Sequence, residues 1–112
     1  MAGAGGVPWE RVVKKMYERY GYVCIRSAGS LGAVDLISWN EDSVHLIQCK
    51  KETRKDSYNR DMVRLRAVKV PRIGKWEKVL WIKRRYGDTV EMRTLNVDGY
   101  DKVMVPYERV RG

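Results

Sequence analysis

The sequence predicts an α/β fold in which a mixed central β-sheet is flanked by helices. Two observations support this fold class. Apolar residues recur with helical spacing in two segments of the chain. Short apolar or alternating runs, which are typical of strands, follow each of these segments. The predicted element order is therefore α-β-β-β-α-β-β, and 112 residues are enough for one domain with a modest core.

The first helix is predicted to begin at Pro8 and to end at Gly21, because proline suits a first helical turn and glycine is a common stop. Its apolar residues follow the spacing of one buried face, and they are Trp9, Val12, Val13, Met16, Tyr17 and Tyr20. Glu10 lies at the border of this face, so its carboxylate can point toward the sheet. Residues 1–7 are rich in glycine and alanine and are expected to form a flexible N-terminus, which leaves 8–112 as the single domain.

Three strands are predicted to follow the first helix. The first covers Tyr22–Arg26, and a loop of small residues at 27–33 leads to the second at Val34–Trp39. A polar turn at 40–43 leads to the third at Val44–Lys50. This short turn favours an antiparallel hairpin of the second and third strands.

The second half of the chain is predicted to contain one helix and two strands. The helix spans about Tyr58 to Val68, and Pro71 ends it. Its apolar stripe consists of Tyr58, Met62, Leu65 and Val68. Strands follow at Val79–Lys83 and Thr89–Leu95, and Val103–Val105 is a candidate for a short edge strand.

The charge of the chain indicates a polyanionic partner. Lysine and arginine total 23 and the net charge is +9, a balance that most often marks nucleic-acid binding, although a basic surface can also serve solubility alone. No apolar run is long enough for a transmembrane helix and no basic-then-apolar leader is present, so no membrane partner and a cytoplasmic location are expected. Cys24 and Cys49 lie in apolar strand patterns and are expected to be reduced packing residues.

Polar side chains interrupt two of the predicted core strands. Asp35 lies in the second strand, and Gln48 follows it by thirteen residues near the end of the third. Alternation places Gln48 and Lys50 on one face of the third strand, with Cys49 and His45 on the other. Burial of an acid, an amide and an ammonium in core strands costs free energy, so their presence there favours a functional role. In a hairpin, Asp35 would meet Gln48 and Lys50 at one sheet edge, which suits a divalent metal and a phosphate.

The residue types at this edge match metal-assisted phosphodiester hydrolysis. Mg²⁺ prefers oxygen ligands and keeps several waters. Candidate ligands are the Asp35 carboxylate, the Gln48 amide oxygen, the Cys49 backbone carbonyl and, directly or through a water, Glu10. Lys50 cannot bind a metal as a cation, but its ammonium can stabilise an attacking hydroxide or the charge that develops on the phosphoryl group. The other interpretation is an Asp35–Lys50 salt bridge at a strand end with an exposed Gln48.

Four segments in this order resemble the PD-(D/E)XK nuclease superfamily, and within it the archaeal-type Holliday-junction resolvases, which also occur in viruses. The segments are the helix with Glu10, Arg26-Ser27-Ala28-Gly29-Ser30, Val34-Asp35-Leu36-Ile37 and Leu46-Ile47-Gln48-Cys49-Lys50. The resemblance covers residues 8–70 well and the remainder in element order. It implies a restriction-endonuclease-like fold and catalytic roles for Glu10, Asp35, Gln48 and Lys50, with Ser30 approaching the scissile phosphate. Resolvases of this type usually carry Glu at the position of Gln48, whereas Gln-x-Lys occurs in Mrr-type restriction domains and some transposon end-cleaving nucleases.

The resemblance implies a Mg²⁺-dependent endonuclease, with Mn²⁺ as a possible substitute, that resolves four-way junctions by paired symmetric cuts in the cytoplasm of an archaeal, bacterial or virus-infected cell. One site per chain then requires a homodimer, and no small-molecule cofactor beyond the metal is expected. Residues that flank the site are the candidates for phosphate contacts: Arg26, Ser27, Ser30, Lys51, Arg54 and Lys55. Candidates for exposed apolar residues at the dimer interface are Trp76, Met92 and Val105.

Two other functions remain open at this point. One is a Mrr-like or nicking nuclease that acts on duplex or single-stranded DNA; Gln48 favours it, and the lack of a separate DNA-recognition domain opposes a sequence-specific enzyme. The other is a non-catalytic nucleic-acid-binding protein with structural acidic residues. Substrate preference distinguishes the first, and the effect of Asp35→Asn distinguishes the second.

Overall fold

A computed structural model describes residues 8–27, 32–54, 56–85 and 87–112 of the chain. The segment 1–7, which the sequence predicts to be flexible, lies outside the described residues. Within them the elements are α1 (Trp9–Arg19), β1 (Val23–Arg26), β2 (Leu36–Trp39), β3 (Val44–Lys51), α2 (Asn59–Arg66), β4 (Trp76–Lys83), β5 (Thr89–Leu95), β6 (Tyr100–Pro106) and α3 (Tyr107–Arg111). Every element predicted from the sequence is present.

The strands form one mixed sheet, which confirms the predicted fold class. Their spatial order follows the chain, β1-β2-β3-β4-β5-β6. The β3–β4 pair is parallel and the other four pairs are antiparallel. The parallel pair requires a crossover connection, and α2 provides it. The sheet therefore has α1 on one face and α2 on the other.

The α1 face holds the larger part of the core. Val13, Leu36 and Ile47 are fully buried there, and burial of an aliphatic side chain of this size contributes about 1.5–3 kcal/mol. The Trp9 indole Nε1 donates a hydrogen bond of 3.1 Å to the Trp81 carbonyl oxygen. This bond satisfies a buried donor and fixes the start of α1 on the sheet.

The α2 face is smaller and carries the polar part of β3. Met62 and Leu65 are buried against the sheet residues Leu80 and Leu46, respectively. Because side chains alternate along β3, Gln48 and Lys50 share this face with Leu46. His45 points to the opposite face, as predicted.

The end of the chain contains more secondary structure than the sequence predicts. The candidate edge strand 103–105 extends over Tyr100–Pro106 and pairs with β5 along its whole length, and the five-residue α3 was not predicted. A tight turn explains the pairing, because Asn96 N donates to the Gly99 carbonyl and Gly99 N donates to Asn96 Oδ1. Most of β6 is exposed, so the burial pattern that marks a core strand is absent from its sequence.

Three further expectations concern side-chain exposure, cysteine pairing and membrane insertion. Trp76, Met92 and Val105 are not freely exposed, because each is partly buried against a core cluster. The most exposed large apolar side chains include Val97, Ile73 and Tyr20. The prediction that Tyr20 belongs to the buried face of the first helix is therefore wrong, because α1 ends at Arg19. Cys24 and Cys49 are both free thiols, as predicted. Among the described residues, no helix combines the length and apolar character that a membrane crossing needs.

Candidate functional site

Asp35 lies directly before β2, where this strand separates from β3. Its backbone N–H donates to the Ile47 carbonyl and its carbonyl accepts from Ser27 N–H, each at 2.8 Å. Its carboxylate Oδ2 accepts a hydrogen bond of 2.8 Å from the Cys49 backbone N–H. The carboxylate thus replaces a backbone acceptor beside β3, and its position is fixed by the sheet itself.

Gln48 lies beside Asp35 and is buried. Continuation of the observed pairing of Leu36 with Ile47 sets Asp35 opposite Gln48, so the predicted meeting of these residues at one sheet edge occurs. Only 8% of Gln48 is exposed to solvent. The alternative interpretation of Gln48 as an exposed residue is therefore wrong.

Lys50 shares the face of Gln48, but its partner differs from the alternative interpretation. The Lys50 Nζ lies 3.1 Å from Oδ1 of Asp61 on α2. Among the described residues, no Asp35–Lys50 salt bridge forms. Sequence analysis missed Asp61, although an acid three residues after Tyr58 on an apolar stripe is a signal that could have identified it.

Glu10 approaches the same place from the α1 face. It lies in the first turn of α1, is partly buried, and its Oε1 is 3.5 Å from the exposed Arg26 Nη2. Burial, together with the negative charges of Asp35 and Glu10, raises the pKa of the Cys49 thiol well above its usual value. Arg26, the partner of Glu10, directly precedes Ser27, whose N–H binds the Asp35 carbonyl, so the ion pair of Glu10 is close along the chain to Asp35.

The available donors fit a hard divalent cation. They are the Asp35 and Glu10 carboxylates, the Gln48 amide oxygen and the Cys49 backbone carbonyl, all of them oxygens of the kind that Mg²⁺ and Mn²⁺ accept. The part of the chain that the structure describes contains no group of three or more His, Cys, Asp or Glu side chains that could hold a metal ion. A metal here would thus depend on amide and carbonyl oxygens as well as on carboxylates.

Most of the candidate phosphate contacts surround this edge. Arg26, Lys51 and Arg54 are exposed, and Ser27 is partly buried, with an Oγ that has no hydrogen-bond partner among the described residues. The candidates Ser30 and Lys55 lie outside the described residues. The described basic side chains come from β1, from the end of β3 and from the loop after it.

Two described residues after β3, Glu52 and Ser57, are bonded to arginines that follow β4 or lie on β5. Glu52 accepts a bond of 2.8 Å from Arg84 Nη1, and its other oxygen accepts from the Arg85 backbone N–H. Arg93 Nη1 donates to the Ser57 carbonyl at 2.8 Å. Buried Glu91 joins the two arginines, with oxygens 2.9 Å from Arg84 Nη2 and 2.5 Å from Arg93 Nε. Glu52 and Ser57, which precede and follow Arg54 in the chain, are thus both bonded to arginines of this network.

A second basic surface adjoins Glu10 on α1. An open groove of about 370 Å³ is lined by Pro8, Glu10, Arg11, Lys14, Lys15, Glu18 and Arg26. Sequence analysis gave Arg11, Lys14 and Lys15 no role. Their spacing of i, i+3 and i+4 places them on one helical face beside Glu10, which is a signal that sequence alone contained.

His45 belongs to a separate polar cluster on the α1 face. Its Nδ1 lies 2.9 Å from the Tyr17 hydroxyl, its Nε2 lies 3.0 Å from Glu77 Oε2, and Trp81 Nε1 donates to the Tyr17 hydroxyl at 3.1 Å. Burial raises the pKa of Tyr17 and lowers that of His45. These contacts satisfy buried polar groups at the other end of β3 from Lys50.

Comparison with known proteins gives one informative relative. No protein-family model matches the chain. Over 53 residues the chain is 40% identical to the crossover junction endodeoxyribonuclease Hjc of Methanocaldococcus jannaschii. The aligned segment covers 47% of this chain and 39% of the relative, so the chain matches about two fifths of that protein's length. This chain is therefore similar, over part of its length, to an archaeal nuclease.

Proposed function

We propose that this protein is a metal-dependent endodeoxyribonuclease that resolves four-way DNA junctions by paired, symmetric phosphodiester hydrolysis. The observation that carries the proposal is the meeting of Asp35, Gln48 and Cys49 where β2 leaves β3, with Glu10 on α1 paired to Arg26 of β1. The partial similarity to a crossover junction endodeoxyribonuclease supports the same reaction and substrate. The net charge of +9 supports a polyanionic substrate.

In this proposal Asp35, Gln48, the Cys49 carbonyl and Glu10 hold the metal. When bound, Mg²⁺ or Mn²⁺ supplies Lewis-acid activation of a phosphodiester and of water. Lys50 presents its ammonium to the negative charge that develops on the phosphoryl group. Gln48 contributes an oxygen without a charge, so the site attracts cations less strongly than one with a third carboxylate.

The basic residues around the site bind the sugar-phosphate backbone. Arg26, Lys51 and Arg54 are exposed on both sides of Asp35, and each can neutralise a phosphate. Phosphate contacts fix orientation without reading base sequence, so selection depends on the branched shape of the substrate. Because a junction must be cut in two opposed strands and each chain carries one site, the active species is a symmetric homodimer.

The test uses a labelled synthetic four-way junction and a matched linear duplex. Each DNA is incubated with the unmodified protein, with Asp35→Asn and with Asp42→Asn, in Mg²⁺ and in EDTA. Asp42 lies in the exposed turn between β2 and β3, so Asp42→Asn makes the same chemical change away from the site. We expect paired nicks in the junction alone, which EDTA and Asp35→Asn abolish and Asp42→Asn preserves.

Other results identify the competing functions. Equal cutting of the duplex would favour a general or nicking nuclease, the second candidate that the uncharged Gln48 supports. Tight DNA binding without metal-dependent cutting would overturn the nuclease proposal in favour of a basic binding protein. A monomer at micromolar concentration in analytical ultracentrifugation, with and without junction DNA, would contradict paired cutting.

A further inference from the structure

The face of α2 that packs on the sheet carries one carboxylate. Tyr58, Asp61, Met62 and Leu65 follow the spacing i, i+3, i+4 and i+7 of a single helical face. The three neighbours of Asp61 on this face are buried, and the Asp61 side chain is only 17% exposed. An acid in such a position is costly unless it is paired, and its partner is Lys50.

The position of Asp61 relative to β3 is fixed from several sides. Leu65 and Met62 anchor α2 on the sheet. The chain enters α2 through Tyr58, whose N–H donates to Asp56 Oδ1 at 2.9 Å, and the preceding Ser57 carbonyl accepts from buried Arg93. The carboxylate of Asp61 is therefore a fixed reference point rather than a mobile surface charge.

Lys50, by contrast, needs such a partner to be ordered. Its side chain is 37% exposed, and the residue paired with it on β4 is the apolar Ile82. A lysine has four rotatable bonds, and ordering a side chain of this kind costs about 1.5–2 kcal/mol. The ammonium has three N–H donors, so a bond to Asp61 leaves two of them for another oxygen.

We propose that Asp61 is a positioning residue that holds the Lys50 ammonium on the face of β3 that carries Gln48, oriented toward the scissile phosphate. This inference rests on the proposed nuclease function, because Lys50 is its charge-stabilising group. Asp61 acts through Lys50 and not on the DNA. Its removal thus lowers kcat, whereas KM stays the same or falls, since Asp61→Asn removes a negative charge next to a polyanionic substrate.

Four proteins are compared in steady-state cleavage of the junction: the unmodified chain, Asp61→Asn, Asp61→Glu and Asp42→Asn. We expect Asp61→Asn to lower kcat about tenfold without raising KM, a factor that corresponds to the loss of an ordered lysine. Asp61→Glu keeps the carboxylate and should recover kcat to within about threefold. Asp42→Asn makes the same charge change in the turn between β2 and β3 and should leave kcat unchanged. Asp61→Ser replaces Asp61→Asn if the asparagine variant does not fold.

A second readout does not depend on activity. The ¹⁵N-labelled ammonium of Lys50, identified by the loss of its signal in Lys50→Arg, is observed by NMR in the free protein. We expect restricted motion of the Lys50 ammonium in the unmodified chain and in Asp61→Glu. In Asp61→Asn we expect free rotation about the side-chain bonds of Lys50. If the unmodified protein cuts no DNA, the nuclease proposal fails while this measurement still decides whether Asp61 orders Lys50. If the Lys50 signal or kcat is the same in Asp61→Asn as in the unmodified chain, Asp61 is not a positioning residue.

Discussion

Replacement of Glu91 by glutamine tests the buried ion-pair network that supports the loop after β3. Glu91 is completely buried in β5, where its two oxygens contact Arg93 and Arg84. Glu91→Gln keeps the shape of the side chain and removes its charge. Arg93, whose side chain is only 7% exposed, is then left in the interior without its carboxylate partner.

The contacts of the two arginines set the expected magnitude. Loss of one partner of a buried ion pair costs about 3–5 kcal/mol. Arg84 is 30% exposed and keeps its bond to Glu52, so it adds at most about 1 kcal/mol. Arg93 keeps the Ser57 carbonyl and the faces of two tyrosine rings, which places the expected loss near the lower limit, about 3 kcal/mol.

The free energy of unfolding is measured by urea denaturation, followed by the fluorescence of the tryptophans. A chain of 112 residues has a stability of about 6–17 kcal/mol, so Glu91→Gln is expected to fold. The control is the double variant Glu91→Leu with Arg93→Met, which removes both buried charges and should be more stable than Glu91→Gln. A loss below about 1 kcal/mol in Glu91→Gln, or a double variant that is no more stable, would refute the reasoning.

Two further predictions concern pH and metal affinity. Burial lowers the pKa of His45; Glu77 opposes this shift and Lys75 adds to it. As the pH falls below about 6.5, the unfolded chain therefore binds a proton that the folded chain does not, and stability decreases. His45→Asn, which keeps an acceptor for the Tyr17 hydroxyl, should lose less stability than the unmodified chain between pH 7.5 and pH 5 in urea titrations; an equal loss in both proteins would contradict this prediction. Gln48→Glu adds a negative charge to the oxygen donors and should lower the Mg²⁺ concentration for half-maximal junction cleavage at least about threefold, and an unchanged or higher midpoint would argue against Gln48 as a ligand.

The first helix and the hairpin could be predicted because their signals are local. The buried stripe of α1 follows from residues three and four apart, and a four-residue polar turn determines that β2 and β3 are antiparallel. Once this pairing is given, Asp35 must lie near Gln48, and the structure has this arrangement. The hairpin half of the candidate site was therefore contained in about fifteen consecutive residues.

Burial on the second face could not be predicted in this way. The alternation of β5 correctly marks Val90 as a core residue, but the same pattern suggests that Glu91 and Arg93 face solvent. Both are buried, because α2 and the loop before it cover that face of the sheet. Two opposite charges that neutralise each other in the interior leave no apolar periodicity in the sequence.

The sequence by itself determined the α/β class, the α1 stripe and the approach of Asp35 to Gln48, since each depends on contacts between elements that are adjacent along the chain. The tertiary structure alone decided that Lys50 pairs with Asp61 and that Glu91 holds Arg84 and Arg93. Asp61 lies on the helix that follows β3, and Glu91 and Arg93 lie two residues apart on β5, so distance along the sequence did not indicate these contacts. Their geometry depends on how α2 packs on the sheet, and this packing is the sum of many weak apolar contacts that no single motif records.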